Sequence, residues 1–185
     1  MGKIEDLAHH YGRHICATWS KTIAGAQRVV IVVYDKHLER TLRARLGEFI
    51  PQTIAAQRRW IEIDLTNCFA AWMSAIDYRD AYFENPDDLA MKLEGEFFPH
   101  VAGQIRAALH AADETTVVAV VGLASLFGFV HVSQVVRAVE ADIRGRLVLF
   151  FPGSKDGNNY RLLDARDGWN YLAQCITLHG FGGTS

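Results

Sequence analysis

Two aspartates stand where an alternating strand–helix chain would place its chemistry. Asp35 follows the apolar run Val29-Val30-Ile31-Val32-Val33-Tyr34, and Asp64 closes Trp60-Ile61-Glu62-Ile63. Carboxylates at strand ends can hold a hard cation or share a proton. Asp167 would join them if its segment folds back to the same edge. Each also has a plainer role, because aspartate caps helices and closes strands through simple hydrogen bonds. His10 and His14, four apart, have the spacing of two zinc ligands on a helix. No glutamate follows His10, Gly12 lies between them and interrupts the helix, and no third ligand is near. A solvated helix face is the simpler reading. Ser125, in Gly122-Leu123-Ala124-Ser125-Leu126, lacks the G-x-S-x-G elbow of a strained nucleophile. Cys68 falls on an apolar stripe and reads as packing. A phosphate loop needs glycines after a strand, but the first strand runs into Tyr34-Asp35-Lys36-His37. The only Gly-Lys is Gly2-Lys3, so P-loop nucleotide binding is excluded. These residues assign no catalytic group, cofactor or metal.

Lys36, Arg40 and Arg43, with Arg45, Arg58 and Arg59, form a modest basic surface, read first as a solvated helix face. Contact with a phosphate backbone or an acidic partner is the alternative. Lys and Arg number 19 against 21 Asp and Glu, a net charge of −2. That balance lacks the basic excess, pI above ~9, of a dedicated nucleic-acid binder. Cys16, Cys68 and Cys175 form neither a metal-ligand spacing nor a disulfide framework and suit a reducing cytoplasm. Glu5, Asp6 and two histidines occupy the place of a signal peptide's apolar region, and the longest apolar runs fall well short of the ~20 residues that span a bilayer. A soluble, cytoplasmic protein is expected.

The elements that must position these residues follow from periodicity. Ile4, Leu7, Ala8, Tyr11, Ile15, Thr18 and Trp19 mark a first helix, stopped by Gly25. Leu38, Leu42, Leu46 and Phe49 mark a second, broken by Pro51. Thr66 or Asn67 caps a short helix from Cys68. Leu89, Leu93, Phe97, Val101, Ile105 and Leu109 trace a long helical hairpin or a helix kinked at Pro99. Ser133 caps a helix with the stripe Val135, Val136 and Val139. Residues 29–34 and 116–121 read as strands buried on both faces, 147–151 reads as a further strand stopped by Pro152-Gly153, and the alternating 60–65 reads as half covered. Residues 160–164 and 169–176 read as a hairpin around Ala165-Arg166-Asp167-Gly168, and the tail from His179 reads as frayed. The expectation is a single domain over residues 1–185. It is a three-layer α/β fold with a mostly parallel, Rossmann-like or P-loop-like sheet lacking the phosphate loop, and with a C-terminal β-hairpin.

The most unusual stretch is Gly145-Arg146-Leu147-Val148-Leu149-Phe150-Phe151-Pro152-Gly153, followed by Asn158-Asn159-Tyr160-Arg161-Leu162-Leu163-Asp164-Ala165-Arg166-Asp167-Gly168-Trp169-Asn170-Tyr171. It resembles the BrxB family of bacterial BREX phage-exclusion systems. Val32-Val33-Tyr34-Asp35, Glu62-Ile63-Asp64-Leu65 and Val120-Val121-Gly122 add to the resemblance, which spans residues 28–176 or so. The resemblance implies a non-catalytic subunit of a system that methylates host DNA and blocks phage. It also implies a scaffold or adaptor role through contact with the alkaline-phosphatase-like PglZ component. No catalytic residues carry over. Phe151, Pro152, Gly153, Asn158, Asn159, Tyr160, Arg161, Asp164, Arg166, Asp167, Gly168, Trp169 and Tyr171 are then the candidate partner surface, since Tyr, Trp and Arg dominate interface hot spots. The structural reading competes: Asp167-Gly168 suits a tight turn, and Trp169 and Tyr171 suit the edge of a core. Two alternatives stand beside the adaptor. One is a metal- or nucleotide-dependent enzyme using Asp35, Asp64 and Asp167. The other is a DNA-contacting accessory protein using Lys36, Arg40 and Arg43.

Overall fold

The computed structural model describes residues 2–163 and 169–182. Its centre is built from the β-branched runs. Strands β1 (Val29–Tyr34) and β3 (Thr116–Val121) are buried at every residue. Strand β4 (Arg146–Asp156) is buried through Pro152. With β2 (Arg59–Asp64) and β7 (Gln174–Thr177) they form five parallel strands in the order β2-β3-β4-β1-β7. A last strand, β8 (Gly180–Gly182), pairs antiparallel with β7 at one edge.

Successive residues of a strand point to opposite faces, so the apolar runs feed two cores. Helices α1 (Lys3–Ile15), α2 (Glu39–Ala44) and α3 (Phe49–Ala55) cover one face, where Leu7, Tyr11, Leu42 and Phe49 cluster with Val30, Val32 and Phe150. On the other face lie α4 (Cys68–Ser74), the short α5 (Arg79–Glu84) and α6 (Leu89–Lys92), then α7 (Phe98–Ala111) and α8 (Val132–Val139). There Phe97, Val101, Ile105 and Val136 cluster with Ile31, Val118 and Leu149. The three-layer α/β fold is the one the alternating pattern predicts.

Several boundaries differ from expectation, each for a local reason. Helix α1 ends at Ile15, so Thr18 and Trp19 lie beyond it, and Gly25 opens a 3-10 turn. Gly12 does not interrupt α1. It is buried against α3, and an added Cβ would come within 2.4 Å of Gln52 Oε1. Pro51 breaks nothing, because it occupies the first turn of α3, where a missing N–H costs little. Pro99 likewise sits in the first turn of α7, and the irregularity precedes it as a π-helical segment, Leu93–Phe97. Neither Asn67 nor Ser133 caps its helix through a side-chain bond, and Ser133 lies buried inside α8. Strand β4 continues through Pro152-Gly153, because it changes partners there. It leaves β1 and pairs antiparallel with β5 (Asn159–Leu162) from Gly153 onward. Strand β6 (Trp169–Asn170) pairs with β5, completing the expected hairpin, whose turn lies outside the described residues. Residues 174–177 are not part of that hairpin; they enter the main sheet beside β1. The stretch from His179 is not frayed where described, since β8 begins at Gly180. Among the described residues no helix is long and apolar enough to cross a membrane.

Candidate functional site

In a parallel sheet, ligands usually bind beyond the carboxyl ends of the strands. Here the sequence candidates at that edge bond within the fold, and a hollow of about 320 Å³ lies between Asp35, Lys36, His37 and Ser154. Asp35 accepts the backbone N–H of His37 at 2.9 Å and caps the turn after β1. Asp64 accepts the backbone N–H of Thr66 at 2.9 Å and a bond from Arg43 Nη1 at 3.2 Å. Partial burial pulls the Asp64 carboxyl upward, but the bonds from Thr66 and Arg43 outweigh it and the net shift is downward. Asp35 and Asp64 do not face one another. Strands β3 and β4 separate β1 from β2, three inter-strand spacings or about 14 Å. Asp167 lies outside the described residues. Among those described, no group of three or more His, Cys, Asp or Glu is placed to hold a metal ion.

The other sequence candidates at this edge have structural partners. The Ser125 hydroxyl faces the carbonyls of Leu65 and Gly122 at 2.8 and 2.6 Å. Gly122, at φ +80°, brings β3 so close to Thr66 that an added Cβ would lie 2.6 Å from its backbone nitrogen. Burial raises the Cys68 thiol pKa, so it is a poor source of thiolate. Arg43 also donates from Nε to Glu39 Oε1 at 2.9 Å, which ties it into the fold. Of the basic trio, Arg40 is exposed, while Lys36 borders a small hollow with Asp35, His37 and Ser154. The trio is therefore not a uniform basic face.

The C-terminal segment divides into an inner and an outer side. Phe151 and Tyr160 are fully buried and meet edge to face, with ring centroids 5.9 Å apart. Pro152 is buried too, and the Tyr171 hydroxyl donates to Glu140 at 2.7 Å. Burial, reinforced by Glu140, raises the Tyr171 pKa. These four residues belong to the core, not to a docking surface. An aromatic side chain next to an apolar run gains more from packing than from exposure. Gly153 allows the ribbon to close, since an added Cβ would meet the Arg161 carbonyl at 2.0 Å. Trp169 lies opposite Tyr160 in the β5–β6 register. Asn158, Asn159 and Arg161 face outward. Asp164, Arg166, Asp167 and Gly168 lie outside the described residues.

The opposite, amino edge of the sheet holds a cluster that the sequence reading missed. Two adjoining hollows, about 620 and 300 Å³, share Trp19 and Arg146. The larger is lined by His10, Arg13 and His14 at the end of α1 and by His179. Lys21, Arg28, Arg58 and Arg144 line the smaller. The guanidinium of Arg58 lies 4.0 Å from the Trp19 ring centre, and that of Arg146 lies 4.6 Å from it. Arg146 is only 6% exposed. Desolvation, then the charges of Arg28 and Arg58, push its pKa down to about 10. Burial, then Arg146, lowers the His14 imidazole to about 4. Arg28 and Arg146 donate to backbone carbonyls, Ile143 and Lys21 for the first and Gly145 for the second. Among the described residues, no carboxylate forms an ion pair with Arg28, Arg58 or Arg146. Glu114 also lines the smaller hollow and pairs with Lys21 at 2.5 Å. The available signal was a basic residue just before or at the start of three predicted strands: Arg28 before Val29, Arg58 before Trp60 and Arg146 before Leu147. Parallel strands bring their starting points to one edge. No family model, curated protein or solved structure matches this chain.

Proposed function

We propose that this protein is a binding subunit of a BREX-type phage-defence system, working by protein–protein contact with a PglZ-type component rather than by turnover. The observation that carries the reading is the build of the segment on which the family resemblance rests. Phe151, Tyr160 and Tyr171 anchor it from inside, and the ribbon of β4 and β5 presents Asn158, Asn159 and Arg161 outward. A ribbon fixed by buried aromatics loses little conformational freedom on docking, which favours binding. At the carboxyl edge, where an enzyme of this architecture would hold its ligand, Asp35, Arg43, Asp64 and Ser125 make contacts within the fold.

Co-purification with a PglZ-type protein, followed by sizing at moderate salt, tests this. The wild-type chain should co-elute, and the Asn158→Ala/Asn159→Ala/Arg161→Ala variant should not while keeping its unfolding temperature. A complex that survives the triple substitution would remove the ribbon as the contact. No complex between two folded proteins would remove the adaptor role itself.

A further inference from the structure

We infer that the amino edge of the sheet is a binding site for a compact polyanion of the pyrophosphate or polyphosphate class. Three arginines from separate segments, Arg28, Arg58 and Arg146, converge on one recess. Like charges crowded together raise the energy of the empty fold, and an anion relieves that cost; Glu114, which lines the recess, is paired with Lys21. Arg146 makes the point most clearly. A guanidinium so buried is normally met by a carboxylate, yet among the described residues it meets a carbonyl and the Trp19 ring. Arginine's planar fork suits phosphoryl oxygens, which accept two parallel bonds. The adjoining larger recess adds Arg13 and the imidazoles of His10, His14 and His179, so one anion can span both.

The shape decides between a compact ligand and a polynucleotide. The charge lies in recesses of about 620 and 300 Å³, within the size of ordinary small-molecule sites. The net charge of the chain is −2. A nucleic-acid backbone needs extended positive ground. The Lys21–Glu114 pair borders the smaller recess. With its charge engaged by Lys21, Glu114 leaves Arg28, Arg58 and Arg146 to face an anion. Three clustered arginines also make a metal cation unfavourable beside the histidines.

Titration of the full chain with pyrophosphate, followed by calorimetry and thermal unfolding, tests the site. Sodium chloride at matched ionic strength and a short single-stranded oligonucleotide serve as comparators. Pyrophosphate should bind and raise the unfolding temperature beyond the chloride control. Arg58→Gln, which removes a guanidinium whose Nε has no hydrogen-bond partner among the described residues, should weaken binding by roughly tenfold or more. Arg146→Lys keeps the charge but loses the fork, and should also weaken it. The His14 imidazole, followed by NMR, should titrate well above about 4 once pyrophosphate is bound. No response beyond chloride would overturn the site. Undiminished binding in Arg58→Gln would overturn its location. Oligonucleotide binding that pyrophosphate cannot displace would overturn the compact ligand in favour of a polynucleotide. None of these outcomes depends on the PglZ contact.

Discussion

The Tyr11 hydroxyl lies 2.7 Å from Oγ1 of Thr53, and both side chains are fully buried. Thr53 Oγ1 itself donates to the Phe49 carbonyl at 3.0 Å, so its proton is committed and the Tyr11 hydroxyl is the donor between them. The pair locks α1 onto α3. Burial raises the Tyr11 pKa far above its ordinary value, keeping the phenol protonated.

This polarity predicts unequal costs. Tyr11→Phe removes the donor and leaves Thr53 still bonded to Phe49, a loss of about 1 kcal/mol. Thr53→Val strands the buried Tyr11 proton and should cost more, about 1–3 kcal/mol. The double variant should be less damaging than the sum of the two. Urea unfolding of the three variants measures this, with the slope unchanged.

His14 gives the protein a pH dependence of definite sign. Its folded pKa is about 4 against an ordinary 6.5, so between these values the unfolded chain binds a proton that the folded chain refuses. Stability from this group is complete above pH 6.5 and falls as the pH drops towards 4. Allowing for partial exposure, the loss is on the order of 2 kcal/mol. Replacing His14 with Gln should flatten that part of the stability profile, measured by chemical unfolding at a series of pH values.

Gly153→Ala should open the ribbon without unfolding the sheet. The new Cβ would collide with a backbone carbonyl, that of Arg161, which cannot swing aside as a side chain would. Amide exchange should speed up at Arg161 and Leu162, while β1 and β3 keep their protection. Equal acceleration in β1 would show that the ribbon and the sheet unfold as one unit.

How far the sequence could be read depended on whether each signal was local. Runs such as 29–34 and 116–121 are long enough to declare buried strands by themselves. Gln174-Cys175-Ile176-Thr177 is too short to do so, and becomes a sheet strand only because β1 offers it a free side. Pro152-Gly153 read as a stop because local rules cannot foresee a strand that changes partners. Asp35 was legible as a cap. The alternative in which Asp35 and Asp64 meet is not realised, because strand order is a nonlocal property, and β3 and β4 come between them. The arginine cluster was hidden for the same reason. Its members are scattered along the chain, and only the parallel arrangement gathers them. The aromatic residues of the C-terminal segment were ambiguous by chemistry, since the same side chains serve cores and interfaces, and burial alone separates the two uses.

Strand β4 has a mechanical consequence. Its first half is flanked on both sides by parallel neighbours, β1 and β3, and its second half carries the ribbon. A pull on Asn158 along the strand axis would therefore load many backbone hydrogen bonds in shear at once. The same pull across the ribbon would peel it from β5 one bond at a time. The protein should resist tension strongly in the first direction and weakly in the second. Whatever grips the ribbon tip thus holds a stiff handle on the middle of the sheet.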